Sequence, residues 1–342
     1  AAAVEFKGAA FSGVTLSAVL GDKGVTGALK ATTPGQGKID TTYNLAAGSV
    51  SRNNKGGVIM SDLSLAIDGS AAASVPQALI KPFVSADALK GVGNVLTTPA
   101  TAAYKLMVTS GAASVTSANV NILDTALVLS GSYQPKKTGA RDLLTITASA
   151  ASLDGDMWMK RLQPQSKEAT VPAPVPANKK IDIAALAKKL TLPMDLDASL
   201  SFGTLTLQGQ TYDKVAFKGR LISNKLTIDN AGLEATGGNS LTLEGTIGDV
   251  SALKDVDLTI QGKTPDTEKT LKGFKVDTKN MPKGIGPSEI LAEFKGQPDN
   301  LSFVANAKAL KGTMEASGAL DDLMTAPKVS NLTVRVKHPN FV

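Results

Sequence analysis

The chain of 342 residues contains no cysteine. That excludes disulfides, thiolate metal sites and cysteine nucleophiles, and it fits an envelope protein that does without thiols. There is one histidine, His338. A Ser-His-Asp triad or a histidine metal cluster could be assembled from it only with very different partners, and it reads as a surface or turn residue before Pro339. Aromatic residues make up only 4% of the chain. Carbohydrate and single-strand nucleic-acid sites need stacking platforms, and outer-membrane barrels need two aromatic girdles; neither is supplied here. No run approaches the roughly 20 apolar residues of a spanning helix. The opening "AVEFKG" is strand-like and carries no signal-peptide pattern, and "VKHPNFV" stops in mid-phrase, as expected of a segment from something longer.

Charge is also thinly spread. Lys and Arg number 36 against 30 Asp and Glu, a formal charge of +6, scattered as single lysines. This predicts a solvated outer face rather than a nucleic-acid patch. Carboxylates come in close pairs: Asp154 with Asp156, Asp195 with Asp197, Asp321 with Asp322. Those at i, i+2 would share a strand face, which permits acid–base chemistry, but they fall on the polar parity and are expected in water. "GVGNVL" and "GIGPSE" complete neither a dinucleotide fingerprint nor a Walker motif and read as turns. Trp158, the sole tryptophan, sits beside Met157, Met159 and Leu162 as a local packing anchor. No catalytic residue, metal or cofactor is expected.

What the chain has is alternation. In "MDLDASLSFGTLTLQG", residues 194–209, Met194, Leu196, Ala198, Leu200 and Phe202 share one parity, and polar residues hold the other. Successive strand side chains point to opposite faces, so this is a strand with one apolar face; a phase slip at Gly203 suggests a bulge or bend. The pattern recurs in Val14 to Leu20, Ile39 to Leu45, Leu63 to Ile67, Ala102 to Val108, and Val120 with Ile122. It returns in Val215 to Leu221, Leu226 with Ile228, Leu241 to Ile247, Val256 to Ile260, Ile290 to Phe294, Met314 with Ala316, and Leu332 to Val336. Runs of this length between Gly, Asn, Asp and Ser turns predict a mainly β fold. Helix is expected chiefly at 183–190, with weaker pieces near 79 and 270. The segment 163–180 holds four prolines and no periodicity, so it reads as a linker between units 1–162 and 181–342. "KGVGNVL" from Lys90 aligns with "KGIGPSEI" from Lys283 within a shared order of elements, which suggests an internal repeat.

The stretch from "IDIAALAKKL" through "LTLEGTIGD", with Gly209, Val215, Asn224, Leu226 and Ile228, resembles the C-terminal region of AsmA-family proteins. "MPKGIGPSEILAEFKGQPDNLSF" and "GTMEASGALDD", with Pro282, Gly286, Gly296, Gly312, Gly318 and Pro327, are similar to that family's proline-glycine junction followed by three strands. "LDGDMWMKRLQP" matches the family's D-x-D-x-Y-L-P phrase at Asp154, Asp156, Leu162 and Pro164 and lacks its tyrosine. The resemblance implies an elongated, curled antiparallel sheet of repeated meanders forming a groove, with a few short helices. It also implies a periplasmic protein held to the inner membrane by an N-terminal anchor outside this segment, and kinship with TamB and chorein-type bridge-like lipid transfer proteins.

Two functions are expected from different classes. In the first, a non-catalytic lipid-binding or lipid-transfer segment shields phospholipid or other acyl chains between inner and outer membrane. Its contacts would be Met194, Leu196, Leu200, Phe202, Phe217, Leu226, Ile228, Leu241, Leu243, Leu258 and Ile260. In the second, a structural envelope module closes its apolar faces on each other as a sandwich core. Alternation reports a buried face without saying what buries it. An enzyme built on paired aspartates ranks third.

Overall fold

A computed structural model describes residues 2–6, 9–33, 37–52, 58–77, 93–136, 140–162, 192–235, 237–273, 284–323 and 328–339. The expected helix at 183–190 and the proline-rich segment 163–180 lie outside these residues, as does most of the piece near 79. Strands take up 76% of the described residues, and the fold is mainly β and antiparallel.

The chain divides into two compact units, residues 1–169 with 206–209, and 170–205 with 210–342. In the first, β1 (Ala2–Phe6) pairs with β2 (Ala9–Gly21). Then β3 (Gly24–Thr33), β4 (Gly37–Arg52), β5 (Val58–Ala73), β6 (Ala100–Thr109), β7 (Ala112–Ile122), β8 (Thr125–Gln134) and β9 (Leu143–Asp154) follow as one meander. A 3₁₀ turn (Gly93–Thr97) precedes β6, and helix α1 (Gly155–Leu162) follows β9. The second unit runs β10 (Asp195–Leu207), β11 (Gln210–Ile222), β12 (Lys225–Ala235), β13 (Asn239–Asp249), β14 (Lys254–Thr264), β15 (Ser288–Gln297), β16 (Asn300–Ala309), β17 (Gly312–Asp321) and β18 (Lys328–Lys337), with α2 (Thr267–Gly273) between β14 and β15.

Every alternating run read in the sequence falls on a strand. β3, β8, β9 and β16 fill the places between them, where Ala, Gly, Ser and Thr dilute the apolar parity. Tight two-residue turns set the register. Ser223–Asn224 and Leu310–Lys311 both take positive φ at both positions, the twist that suits a hairpin. β10 runs unbroken through Gly203.

Helix α2 covers the expected piece near 270. Helix α1 was not expected, yet its signals are legible: Asp154 Oδ1 accepts from Met157 N at 2.9 Å, an N-cap, and Lys160 and Arg161 occupy its last turn. Asp154 ends β9 and Asp156 begins the helix, so this pair shares no strand face, contrary to the sequence reading. Asp156 instead accepts from Gln208 N at 2.6 Å and Gly209 N at 2.8 Å.

The aligned glycine stretches occupy different places. Each carries a buried aliphatic residue into the strand that follows it, Val95 before β6 and Ile285 before β15. Val95 belongs to the main core cluster of its unit. Ile285 lies at the strand ends opposite the core cluster of its own unit.

Candidate functional site

The ladder registers of the second unit carry apolar side chains straight across the sheet. Residues directly opposite one another point to the same face. One row runs Leu221, Leu226, Ile247, Val256, Gly296, Leu301, Leu320. The next is Gly219, Ile228, Gly245, Leu258, Phe294, Phe303, Gly318, with the two phenylalanine rings 6.5 Å apart. A third is Phe217, Ala231, Leu243, Ile260, Ala292, Ala305, Ala316, Val334, and a fourth is Leu233, Leu241, Gly262, Ile290, Ala307, Met314, Val336. With strands about 4.8 Å apart, the third row crosses eight strands and is roughly 34 Å long, and the other three cross seven and are roughly 29 Å long.

The rows differ in burial. The first is a closed core in which Leu221, Ile247, Val256 and Leu301 are buried together with Val250, whose side chain is 0% exposed. Leu192, Leu253 and Leu323 pack against it from the turns. Those turns are tied sideways: Val250 N donates to Asn224 O at 3.0 Å and Leu323 N to Pro298 O at 2.8 Å. The fourth row is open, with Leu241 44%, Ile290 47%, Met314 45% and Val336 62% exposed. A second sheet packed about 10 Å away would cover these side chains. The apolar face is therefore capped at one end of its strands and bare at the other.

Seven of the eleven expected contact residues lie in these rows, with Leu226 in the first. Phe217, Leu243 and Ile260 share the third row, Ile228 and Leu258 the second, and Leu241 the fourth. Leu226, Leu258 and Leu196 pack onto the capped core. Leu200 and Phe202 are half-buried on β10, and Met194 lies in a bend just ahead of that strand. The registers add Phe294, Phe303, Ile290 and Met314 to the same face. Phe303 was detectable as the alternating partner of Leu301; Val250, in a turn, had no sequence signal.

The opposite face is polar and laced with ion pairs. Lys263 meets Glu289 at 3.3 Å, Lys295 meets Asp257 at 3.6 Å and Arg335 meets Glu315 at 3.0 Å. Their side chains are well exposed, so each contributes little.

The first unit repeats the arrangement. Leu20, Val25, Leu45, Leu65, Val108, Ala113, Tyr133 and Leu144 form one row, and Ala18, Gly27, Tyr43, Ile67, Leu106, Val115, Gly131 and Ile146 the next. Tyr43 crosses the glycine opposite it, Gly27, and its hydroxyl donates to Ser17 O at 3.0 Å. Tyr104 and Thr41 join hydroxyls at 2.8 Å. The capped end is made by Val95, Ile122 and Leu123, with Met157 and Trp158 packed on them. Trp158 Nε1 donates to the buried Thr125 Oγ1 at 3.1 Å, so the tryptophan anchors packing as its neighbours suggested.

The aspartate pairs occupy unlike surroundings. Asp195, expected in water, is 2% exposed. It accepts from Ser223 N at 2.8 Å, because the β11–β12 turn closes over the start of β10. Asp321 receives Asn300 Nδ2 at 3.3 Å. His338 Nε2 donates to Leu310 O at 2.9 Å. Among the described residues no cluster of three metal-ligating side chains occurs, and no helix is long and apolar enough to cross a membrane.

Compared with family models, with curated proteins and with solved structures, the chain matches none.

Proposed function

We propose that the apolar face of each unit shields the acyl chains of a phospholipid or other acyl lipid, without catalysis. The observation that carries this reading is the fourth row of the second unit, where aliphatic side chains continue across neighbouring strands with nearly half their surface bare. Contiguous exposed apolar surface of this kind marks an interaction site. Moving a lipid through water exposes about 0.8 kcal/mol per CH₂, so a 16-carbon chain costs about 12 kcal/mol. A continuous aliphatic row removes that cost and needs few aromatics and no catalytic residue. AsmA-family membership, a periplasmic location, an N-terminal inner-membrane anchor and transfer between the two membranes belong to this same proposal.

A second reading, a structural envelope module, draws support from the capped first row, which closes without any ligand. The experiment that separates them pairs Leu243→Asp with mass spectrometry of co-purified lipid and thermal melting. Leu243 sits in the half-buried third row. The lipid reading expects lost lipid with a near-normal melt. A collapsed melt, with no lipid on the parent chain, favours the structural module.

A further inference from the structure

Among the described residues, large apolar side chains with more than half their surface bare are confined to two strands. They are Leu16, Val19 and Leu20 on β2, and Val329, Leu332, Val334 and Val336 on β18, at 52% to 78% exposure. On both strands the two faces are bare together: Thr15–Gly21 throughout, and every residue of β18 except Ser330. A strand shows this when a neighbour covers one of its edges only. Within its unit β18 pairs with β17. β2 pairs with β3 through Gly21, while β1 reaches only from Ala9 to Val14 on its other side. Long apolar edges of this kind are sites of strand pairing.

The two free edges match in phase. Ser17 O accepts from the Tyr43 hydroxyl at 3.0 Å, so Ser17 turns its polar backbone toward β3. Backbone direction alternates along a strand, which turns Leu16, Ala18 and Leu20 outward. A β-carbon at Gly312 would fall 2.9 Å from Lys337 O, so Lys337 faces β17, and Val336, Val334 and Leu332 face out. Charge then selects the partner. β18 carries Lys328, Arg335 and Lys337 and no carboxylate, so two copies of β18 side by side bring like charges together. β2 has no charged residue.

We propose that β18 of one copy of this chain pairs antiparallel with the free half of β2 of a second copy, head to tail. Leu332 opposite Leu20, Val334 opposite Ala18 and Val336 opposite Leu16 keep the apolar parities on one face and join the outward backbone groups of both strands. Arg335 then meets Ser17 and Lys337 meets Thr15 on the polar face. The apolar rows that end on β18 run on into those that begin on β2 of the next copy. The contact is heterologous and leaves one edge of each kind free at the ends of any assembly, so it adds copies without stopping at two. A ladder over Thr15–Gly21 falls short of the roughly 1,200 Å² of a standard interface, so association is weak and rises with concentration.

Sedimentation velocity of the whole chain from about 1 μM to about 1 mM tests this. The expected result is a monomer at the low end and a growing series of multimers at the high end. Val334→Lys and Ala18→Lys each place an ammonium on the apolar parity of one edge, harmless in solvent and costly beneath a neighbouring strand. Each variant alone should stay monomeric with a near-normal thermal melt. Should Val334→Lys melt early, the more exposed Val336→Lys replaces it. An equimolar mixture of the two edge variants joins the intact β2 of one to the intact β18 of the other, and should give a heterodimer and nothing larger. Leu241→Lys, on the apolar face of an interior strand, should associate as the parent does. A parent chain that is monomeric at every concentration, or an edge variant that still associates alone, overturns the head-to-tail pairing. Loss of association in Leu241→Lys also overturns it and assigns the contact to stacked apolar faces.

Discussion

The Phe303 ring lies against Gly318, its directly opposite neighbour on the next strand. A β-carbon at that glycine would fall 3.1 Å from ring atoms Cε1 and Cζ and 2.9 Å from Ser330 O. Small residues opposite large ones let the rings lie down on the sheet, so the face is a floor on which side chains do not stand up as separate ridges. Tyr43 over Gly27 does the same in the first unit.

Gly318→Ala should therefore destabilise the second unit by about 1–3 kcal/mol through overpacking. Backbone lies on one side and a ring in a packed row on the other, so neither can retreat. Gly111→Ala, with nothing within 4 Å of the added carbon, should change stability by less than about 0.5 kcal/mol. Urea titration of both variants checks the difference.

The two ends of the apolar face should respond differently to the same truncation. Val250→Ala, in the capped core, should cost about 2 kcal/mol because its cavity cannot refill from packed neighbours. Val336→Ala, on the bare row, should stay within about 0.5 kcal/mol. Equal costs in thermal melts would mean that the bare row is covered in solution.

Asp195→Ala should lower stability by about 1–3 kcal/mol, since it strips the Ser223 N–H of its acceptor inside the protein. Asp195→Asn keeps an oxygen acceptor and should recover part of the loss. Hydrogen exchange at the Ser223 amide reads the effect locally, with faster exchange expected in the alanine variant.

Asp249 controls the turn that carries Val250. The Ser251 hydroxyl and backbone N–H donate to its Oδ1 at 2.6 and 2.9 Å, and together with the backbone of Ala252 and the charge of Lys254 they hold its carboxyl below the usual carboxylate range. A lowered folded value means that stabilisation is full above the ordinary carboxylate pKa and is lost as pH falls through the lowered one. Amide exchange in residues 250–253 should quicken over that acid window. Asp249→Asn should flatten the response; an unchanged acid profile in that variant would remove Asp249 as its source.

How much of this was legible before folding can be argued from particular residues. Leu241, Leu243, Leu258 and Ile260 announce one face by parity alone, and the registers place them on it. Asp195 shares its sequence pattern with Asp197 and so read as solvated. Only the β11–β12 turn folding over it makes it buried. Helix α1 was missed because eight residues with a tryptophan carry little periodicity, although Asp154 marks its start.

Parity is a local property: the chain turns each residue to the opposite face from the last, and water sorts the two faces by polarity. The sequence by itself therefore determined the strands, the apolar and polar faces, and the absence of cysteine chemistry. Burial is not local. Whether Val256 ends in a sealed core and Ile290 in open surface depends on bulges and turns that fix which rows align, and on Val250, Leu192 and Leu323 arriving from separate connections to cap one end only. No single strand encodes that meeting. The tertiary structure decided it, because excluding water from a row takes neighbours brought together from distant parts of the chain.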